Sequence, residues 1–156
     1  MNLSLRRRGF SLIELVIVIV IIGIIGAIAV PRMSRAATGA ADSSLTADLN
    51  VLRTAIDLYQ AEHGGSYPSY ASFVAQLTTF TNDAGATNAT KTTTYIYGPY
   101  IREIPSIKVG PLKGLNTVSD TAEDGSAWYY NETTGVIRAN YANTVVDGRG
   151  TPYVNY

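Results

Sequence analysis

Apolar side chains form one uninterrupted block near the start of the chain and become periodic further on. In residues 10–30, a stretch of 21 residues, only Ser11 and Glu14 are polar. An α-helix rises about 1.5 Å per residue, so this stretch matches the roughly 30 Å hydrocarbon core of a membrane. Isoleucine and valine also suit a buried strand, but strands are normally about 4–8 residues long. Length therefore predicts a membrane-spanning helix.

A single apolar stripe follows the block. Its members alternate at spacings of four and three, as on one buried face of a helix: Leu45, Leu49, Leu52, Ile56 and Tyr59. Gly64 and Gly65 indicate where that helix ends. We expect one helix over residues 11–63, whose amphipathic half, residues 31–63, packs on the rest of the chain. His63, the only histidine, is expected at a solvent-exposed helix end.

We expect the remaining residues, 64–156, to form one small globular domain, called the head below. The spacing of Phe73, Leu77 and Phe80 favours a short helix that begins near Ser69. Residues 78–94 are rich in threonine, asparagine, alanine and glycine, which predicts an exposed loop. Strands are predicted at the aromatic and β-branched stretches 95–97, 128–130, 136–138 and 153–156. The fold class is α+β: a long N-terminal helix packed against a small C-terminal antiparallel β-sheet.

Charge around the apolar block predicts its orientation. Arg6, Arg7 and Arg8 precede the block, and the positive-inside bias keeps such a basic N-terminal segment in the cytoplasm. Glu14 lies one turn inside the block. Because an acid at the centre of a membrane span costs about 2.5–3.5 kcal/mol, an acid near its edge normally has a partner or a function.

Three interpretations of this segment compete. Ala27-Ile28-Ala29 is similar to a signal-peptidase site, which favours a Sec-exported binding or enzymatic domain with a removable signal. That signal would be long, however, and would leave Glu14 unexplained. An uncleaved anchor accounts for the length and the arginines but not for Gly9-Phe10 or Glu14. The third interpretation is a processed filament subunit.

The stretch from Arg6 through Gly9, Phe10 and Glu14 resembles the class III leader of type IV pilins and type II secretion pseudopilins. The resemblance implies that prepilin peptidase cuts after Gly9 and removes residues 1–9 as a leader. It also implies that Phe10 becomes the N-methylated terminus, that Glu14 is the assembly glutamate and that Pro31 is the helix-kinking proline. The motif is specific because all of these residues must lie at fixed offsets.

Electrostatics explains why an acid at Glu14 would accompany cleavage before Phe10. Cleavage after Gly9 leaves a positively charged amine on Phe10 beside an apolar layer, where an unpaired charge is costly. Glu14 offers the opposite charge, either in the same chain or in a neighbouring subunit. A pairing between subunits would fix their axial register, because a lone buried polar contact penalises every other offset. A Glu14 side chain that merely reaches the lipid headgroups is the alternative.

The head also resembles the major pseudopilin of type II secretion, at Tyr67-Pro68, at Gly98-Pro99-Tyr100-Ile101 and at residues 147–153. This resemblance implies a pseudopilus subunit that polymerises with itself and works with an inner-membrane platform protein and minor pseudopilins. It places the subunit in the bacterial inner membrane as a single-pass protein and then in a periplasmic or extracellular filament. A type IV pilin for adhesion, motility or DNA uptake is the alternative within the superfamily.

Calcium is the one candidate cofactor that the sequence suggests. The family pattern Asp-Pro-Trp-Gly is replaced here, since Gly148 and Arg149 follow Asp147, and the acidic tail that binds calcium in family members is not matched. Asp120, Glu123 and Asp124 could supply oxygen ligands together with Asp147, but calcium usually takes six or more. A solvated acidic turn is the alternative.

Composition argues against several other functions. The chain has no cysteine, one histidine and no phosphate-binding glycine loop, so we expect no enzyme. Basic and acidic residues balance at 12 each, and the head carries six against seven. A filament that binds DNA would be expected to show a basic stripe for phosphates, so nucleic-acid binding is disfavoured.

Overall fold

The computed structural model describes residues 10–156, apart from the side chain of Pro31. The predicted leader, residues 1–9 with Gly9, lies outside the described residues. The chain divides into two compact units, one up to Ala37 and one from Thr38 to Tyr156. The second unit contains the head together with the carboxyl half of the long helix.

Helix α1 comprises Leu12–Glu62, 51 residues. The helix predicted over residues 11–63 is thus confirmed to within one residue at each end. Gly64 and Gly65 follow it with φ of 62° and 90°, values that favour glycine, and the N–H of Gly65 donates to Gln60 O at 2.9 Å. The glycine pair therefore ends the helix as the sequence predicts.

Short elements build the head. A 3₁₀ turn, Tyr70–Ser72, leads into helix α2, Phe73–Thr78, which confirms the predicted short helix. The strands are β1 Phe80–Thr81, β2 Thr87–Asn88, β3 Val118–Ser119, β4 Trp128–Tyr130 and β5 Ile137–Ala139, and a second 3₁₀ turn, Tyr153–Asn155, follows them.

Two small sheets result from these strands. Strands β1 and β2 pair antiparallel by themselves. In the second sheet the order is β3-β4-β5: β4 and β5 form an antiparallel hairpin in which Trp128 lies opposite Ala139, and β3 runs parallel to β4. The α+β fold is confirmed, with the difference that this sheet is mixed rather than wholly antiparallel.

The head folds around the apolar stripe of α1. Leu45, Leu49 and Leu52 are fully buried, and they belong to one core cluster with Trp128 and Tyr130 of β4. Burying such side chains contributes about 1.5–3 kcal/mol each. The expectation that residues 31–63 pack on the rest of the chain is confirmed for residues 38–62, which form one compact unit with the head, whereas residues up to Ala37 belong to the other unit.

Two predicted strands are wrong. Residues 95–97 contribute only an isolated bridge between Thr81 and Tyr97, and residues 153–156 form a 3₁₀ turn. In the second case the Tyr153 hydroxyl donates to Asp42 Oδ1 of α1 at 2.7 Å. Aromatic residues favour strands because they suit a half-buried surface, and a turn packed on a helix offers the same burial.

The exposed loop predicted for residues 78–94 is wrong in part, because it contains β1, β2 and the turn between them. Asn82 holds that turn: its Oδ1 accepts N–H groups of Ala84 and Ala86 at 3.1 and 2.9 Å. The prediction that His63 is exposed to solvent is also wrong, since the residue is only 7% exposed.

Candidate functional site

The start of helix α1 is capped by its own acid. The backbone N–H of Ser11 donates to Glu14 Oε2 at 2.9 Å. Ser11 is the residue before the first helical residue, Leu12, and Glu14 is the third residue of the helix. This is the glutamate half of a capping box, in which the side chain at the third position satisfies a backbone donor that the helix cannot. It also places a negative charge at the positive end of the helix dipole.

The cap was not among the predictions for Glu14, although its signal is present in the sequence. Ser11-Leu12-Ile13-Glu14 has the serine-x-x-glutamate spacing of a capping box. The bond occupies one carboxylate oxygen, and a carboxylate offers about four lone-pair sites. Capping therefore leaves Glu14 able to accept a further donor.

The helix around this cap exposes its apolar side chains in every direction. Phe10 and Leu12 are 82% and 81% exposed, and the other large apolar side chains through Val30 are exposed as well. Within the described residues, α1 is the one helix long and apolar enough to cross a membrane, and none of its most apolar window is buried. Such a surface requires a membrane or other apolar helices around it.

The remaining predicted assembly residues lie along the same helix. The backbone of Pro31 is part of α1, and because proline has no N–H, the carbonyl four residues earlier lacks its usual helical partner. The bend predicted at Pro31 stays a prediction. Gly23 and Gly26 leave open space, since an added Cβ at either position would meet nothing within 4 Å.

Asp124 and Glu123 belong to a turn that Asn140 organises. Asn140 is buried; its Oδ1 accepts the N–H of Glu123 at 2.8 Å, and its Nδ2 donates to Asp124 Oδ1 at 2.9 Å. The hydroxyl of Ser119, followed by the N–H of Ser126, holds the pKa of Asp124 below its usual value. Asp124 Oδ1, which accepts bonds from Asn140 and from the N–H of Ser126, is therefore engaged by the protein itself.

Asp147 is engaged in a separate turn. Its Oδ1 accepts the N–H groups of Arg149 and Thr151 at 2.8 and 2.7 Å, and its Oδ2 accepts the Tyr156 hydroxyl at 2.6 Å. The bond from Tyr156 is the largest reason why the pKa of Asp147 is lowered. Among residues 10–156 no three acids, histidines or cysteines group around a common point. Asp120, Glu123, Asp124 and Asp147 therefore do not form one ligand set, and calcium binding stays an untested prediction.

Arg53 has a role that the sequence did not reveal. Its Nη2 donates to Tyr156 O at 2.5 Å and lies 3.5 Å from Ile137 O. One guanidinium therefore ties the last segment of the head and strand β5 to helix α1. The sequence showed only a basic residue on a polar face of the helix, and such a residue is most often solvated.

Comparison with known proteins bears on the N-terminal segment. Residues 4–30 match the family model described as the prokaryotic N-terminal methylation motif. No curated protein and no solved structure matches the chain. The motif match confirms the predicted prepilin-type N-terminus, and the long-helix α+β fold is consistent with the predicted pilin-like fold. Both findings support the predicted resemblance to type IV pilins and pseudopilins.

The motif describes a subunit that prepilin peptidase processes, and it is typical of structural subunits rather than enzymes. The apolar half of α1 fits anchoring of such a subunit in the inner membrane. The narrower resemblance of the head to the major pseudopilin of type II secretion stays a prediction.

Proposed function

We propose that this chain is a structural subunit of a helical filament, namely the pseudopilus of a type II secretion system. The observation that carries the proposal is the start of α1: a capped acid, Glu14, heads a helix whose large apolar side chains are all exposed through Val30. A filament core made of such helices would give each one an apolar environment.

The energetics favour bundling over extraction of single subunits. Full burial of a large aliphatic side chain is worth about 1.5–3 kcal/mol, and residues 12–30 carry more than a dozen such side chains. Removing this segment from lipid into water would be prohibitive. Packing against the same segment of neighbouring copies replaces the lost apolar contacts, and the open positions at Gly23 and Gly26 allow close approach.

The register of the copies would come from Glu14. Processing after Gly9 frees the amine of Phe10, one residue before the N–H that Glu14 accepts. The carboxylate keeps lone pairs for that amine, from its own chain or from a neighbour. In an apolar core such a charged pair is strongly favoured over two separate charges, so subunits would stack at one axial offset.

Sequence resemblance supports the choice of a pseudopilus over a type IV pilus used for adhesion, motility or DNA uptake. The head shares Tyr67-Pro68 and Gly98-Pro99-Tyr100-Ile101 with the major pseudopilin, and its balance of six basic and seven acidic residues offers no excess charge for DNA. In this role the arginine leader faces the cytoplasm and the head faces the periplasm. The partners are further copies, prepilin peptidase, the platform protein with its ATPase and minor pseudopilins.

Mass spectrometry of the native N-terminus tests the proposal. A chain that begins with N-methylated Phe10 is expected, both in membranes and in sheared filaments. A chain that begins at Val30, or that keeps Arg6, Arg7 and Arg8, would contradict it. The choice of system is tested by deleting the gene: loss of exoprotein secretion with normal twitching and DNA uptake supports the pseudopilus, and the opposite pattern supports a type IV pilus.

A further inference from the structure

His63 joins the carboxyl end of α1 to the turn between β1 and β2. The ring stacks on Tyr59, with centroids 3.8 Å apart and planes inclined by 6°. Tyr97 packs on it at 5.2 Å between centroids. Since only 7% of His63 is exposed, aromatic neighbours hold the ring in one orientation.

Both ring nitrogens of His63 face carbonyl oxygens. Nδ1 lies 2.9 Å from Tyr59 O, and Nε2 lies 3.0 Å from Asn82 O. A carbonyl oxygen only accepts hydrogen bonds, and a neutral imidazole carries a single N–H. A neutral ring therefore leaves one of the two carbonyls facing a nitrogen lone pair. The imidazolium form carries two N–H groups and donates to both.

Asn82 is the centre of the turn that the ring contacts. Its side chain accepts the N–H groups of Ala84 and Ala86, and its carbonyl accepts the N–H of Gly85 at 2.8 Å in addition to facing His63. These bonds make residues 82–86 internally rigid. The hydrogen bond from His63 connects this turn to the end of α1, and Gln76 of α2 holds the turn from another side by donating to Gly85 O at 2.8 Å.

Several titratable side chains lie near the ring. His63 directly follows Glu62, the last residue of α1. The carboxylate of Glu62 accepts the Tyr100 hydroxyl at 2.6 Å, and that of Asp83 accepts the Tyr97 hydroxyl at 2.8 Å. Two carboxylates and three tyrosines thus lie around the ring: Glu62, Asp83, Tyr59, Tyr97 and Tyr100.

We propose that His63 is a proton-dependent clasp between α1 and the turn at residues 82–86. As imidazolium it donates to Tyr59 O and Asn82 O together. When the ring loses its proton, one of the two bonds is lost and the turn opens more often. Histidine is the side chain whose charge ordinarily changes between about pH 5 and 8. Since the cation makes two bonds and the neutral ring one, the turn is held more firmly when the ring is protonated than when it is neutral.

The full-length protein in detergent micelles allows a direct test. His63 is the only histidine, so its ring gives a single set of nuclear magnetic resonance signals. We expect the ring nitrogens to show two N–H groups at pH 5.5. Relative to intrinsic rates, the amides of Gly85 and Ala86 should exchange about tenfold more slowly at pH 5.5 than at pH 8.

Two variants separate the clasp from other causes. His63→Gln keeps a donor but cannot change charge, so it should abolish the pH dependence of exchange. Asp83→Asn removes a neighbouring titratable group and should leave that dependence in place. A ring with one N–H throughout pH 5–8, or an unchanged pH dependence in His63→Gln, would overturn the proposal. If His63→Gln does not fold, the ring signals of the unmodified protein decide alone.

Discussion

Tyr153 donates its hydroxyl to Asp42 Oδ1 at 2.7 Å, across a separation of 111 residues in sequence. Asp42 lies in helix α1 and Tyr153 begins the last 3₁₀ turn of the head. The Tyr153 ring is nearly fully buried and packs near Tyr141 and Tyr156. The end of the head is therefore anchored to the helix by one charged hydrogen bond within an aromatic cluster.

Removing that hydroxyl should destabilise the head. We expect Tyr153→Phe to lower the free energy of unfolding by about 1–2 kcal/mol, because a hydrogen bond to a charged group is lost while the ring packing is kept. Chemical denaturation of the full-length protein in detergent measures this. Tyr70→Phe, at an exposed ring, is the control and should change stability by less than about 0.5 kcal/mol. Equal effects of the two variants would contradict the anchoring role.

Arg53 should be difficult to replace even by lysine. One guanidinium nitrogen, Nη2, reaches Tyr156 O and Ile137 O together, and a lysine ammonium lacks the rigid planar group that directs this nitrogen. Arg53→Lys is expected to cost about 1–2 kcal/mol of unfolding free energy, and Arg53→Leu about 2–3 kcal/mol. The same denaturation measurement applies, with Arg102→Lys at an exposed position as the control. If Arg53→Leu left the free energy of unfolding unchanged, the two contacts would add nothing to stability.

Asp48 should destabilise the head at neutral pH. Its Oδ2 atom is buried without a hydrogen-bond partner, and burial raises the pKa of the carboxyl above 3.8, although the charge of Lys108 opposes this. A raised carboxyl pKa means that the folded head favours the protonated acid. The contribution to stability is therefore greatest below pH 3.8 and is lost as the pH rises through the folded-state pKa.

Asp48→Asn is accordingly expected to stabilise the head at pH 7, by up to about 1 kcal/mol, and to flatten the dependence of the unfolding midpoint on pH above 3.8. Thermal unfolding at several pH values measures both effects. Asp57→Asn, at an exposed acid of the same helix, should do neither. A clear loss of stability in Asp48→Asn at pH 7 would contradict the account.

Two glycines with similar backbone conformations should respond differently to alanine. Gly135 and Gly125 have φ of 70° and 91°, which strain any residue with a Cβ. At Gly135 the added atom would collide with the Tyr67 ring, whereas at Gly125 it would meet nothing within 4 Å. We expect Gly125→Ala to cost about 1 kcal/mol and Gly135→Ala at least about 1 kcal/mol more. Equal losses would mean that Tyr67 moves aside freely.

The long elements of this fold were predictable because each one repeats a strong signal. Helix α1 contains the long apolar block and the stripe that includes Leu45 and Leu52, and two glycines follow its end. Both ends of α1 were therefore predicted to within one residue. The strands predicted at residues 128–130 and 136–138 were also found to within one residue, as β4 and β5, because aromatic and β-branched residues favour strands.

Short elements were missed because their residues have no strong local preference. Strand β3 has only two residues, Val118 and Ser119, and forms because it pairs with β4. That pairing joins separate segments of the chain and leaves no local pattern in the sequence. His63 was assigned to solvent because the sequence does not show that Asn82 folds back over the helix end. At the N-terminus the capping spacing from Ser11 to Glu14 was readable and was overlooked.

Filament yield from a Glu14→Ala variant, normalised to the amount of processed subunit in the membrane, shows whether Glu14 holds neighbouring subunits in register. Ser11→Ala is the matched control, because it keeps the backbone N–H that Glu14 accepts. We expect near-normal insertion and cleavage for both variants and near-normal filaments for Ser11→Ala. For Glu14→Ala we expect at least about a tenfold loss of filaments, since a charge pair in an apolar core is removed. Filaments of normal yield from Glu14→Ala would contradict this role of Glu14.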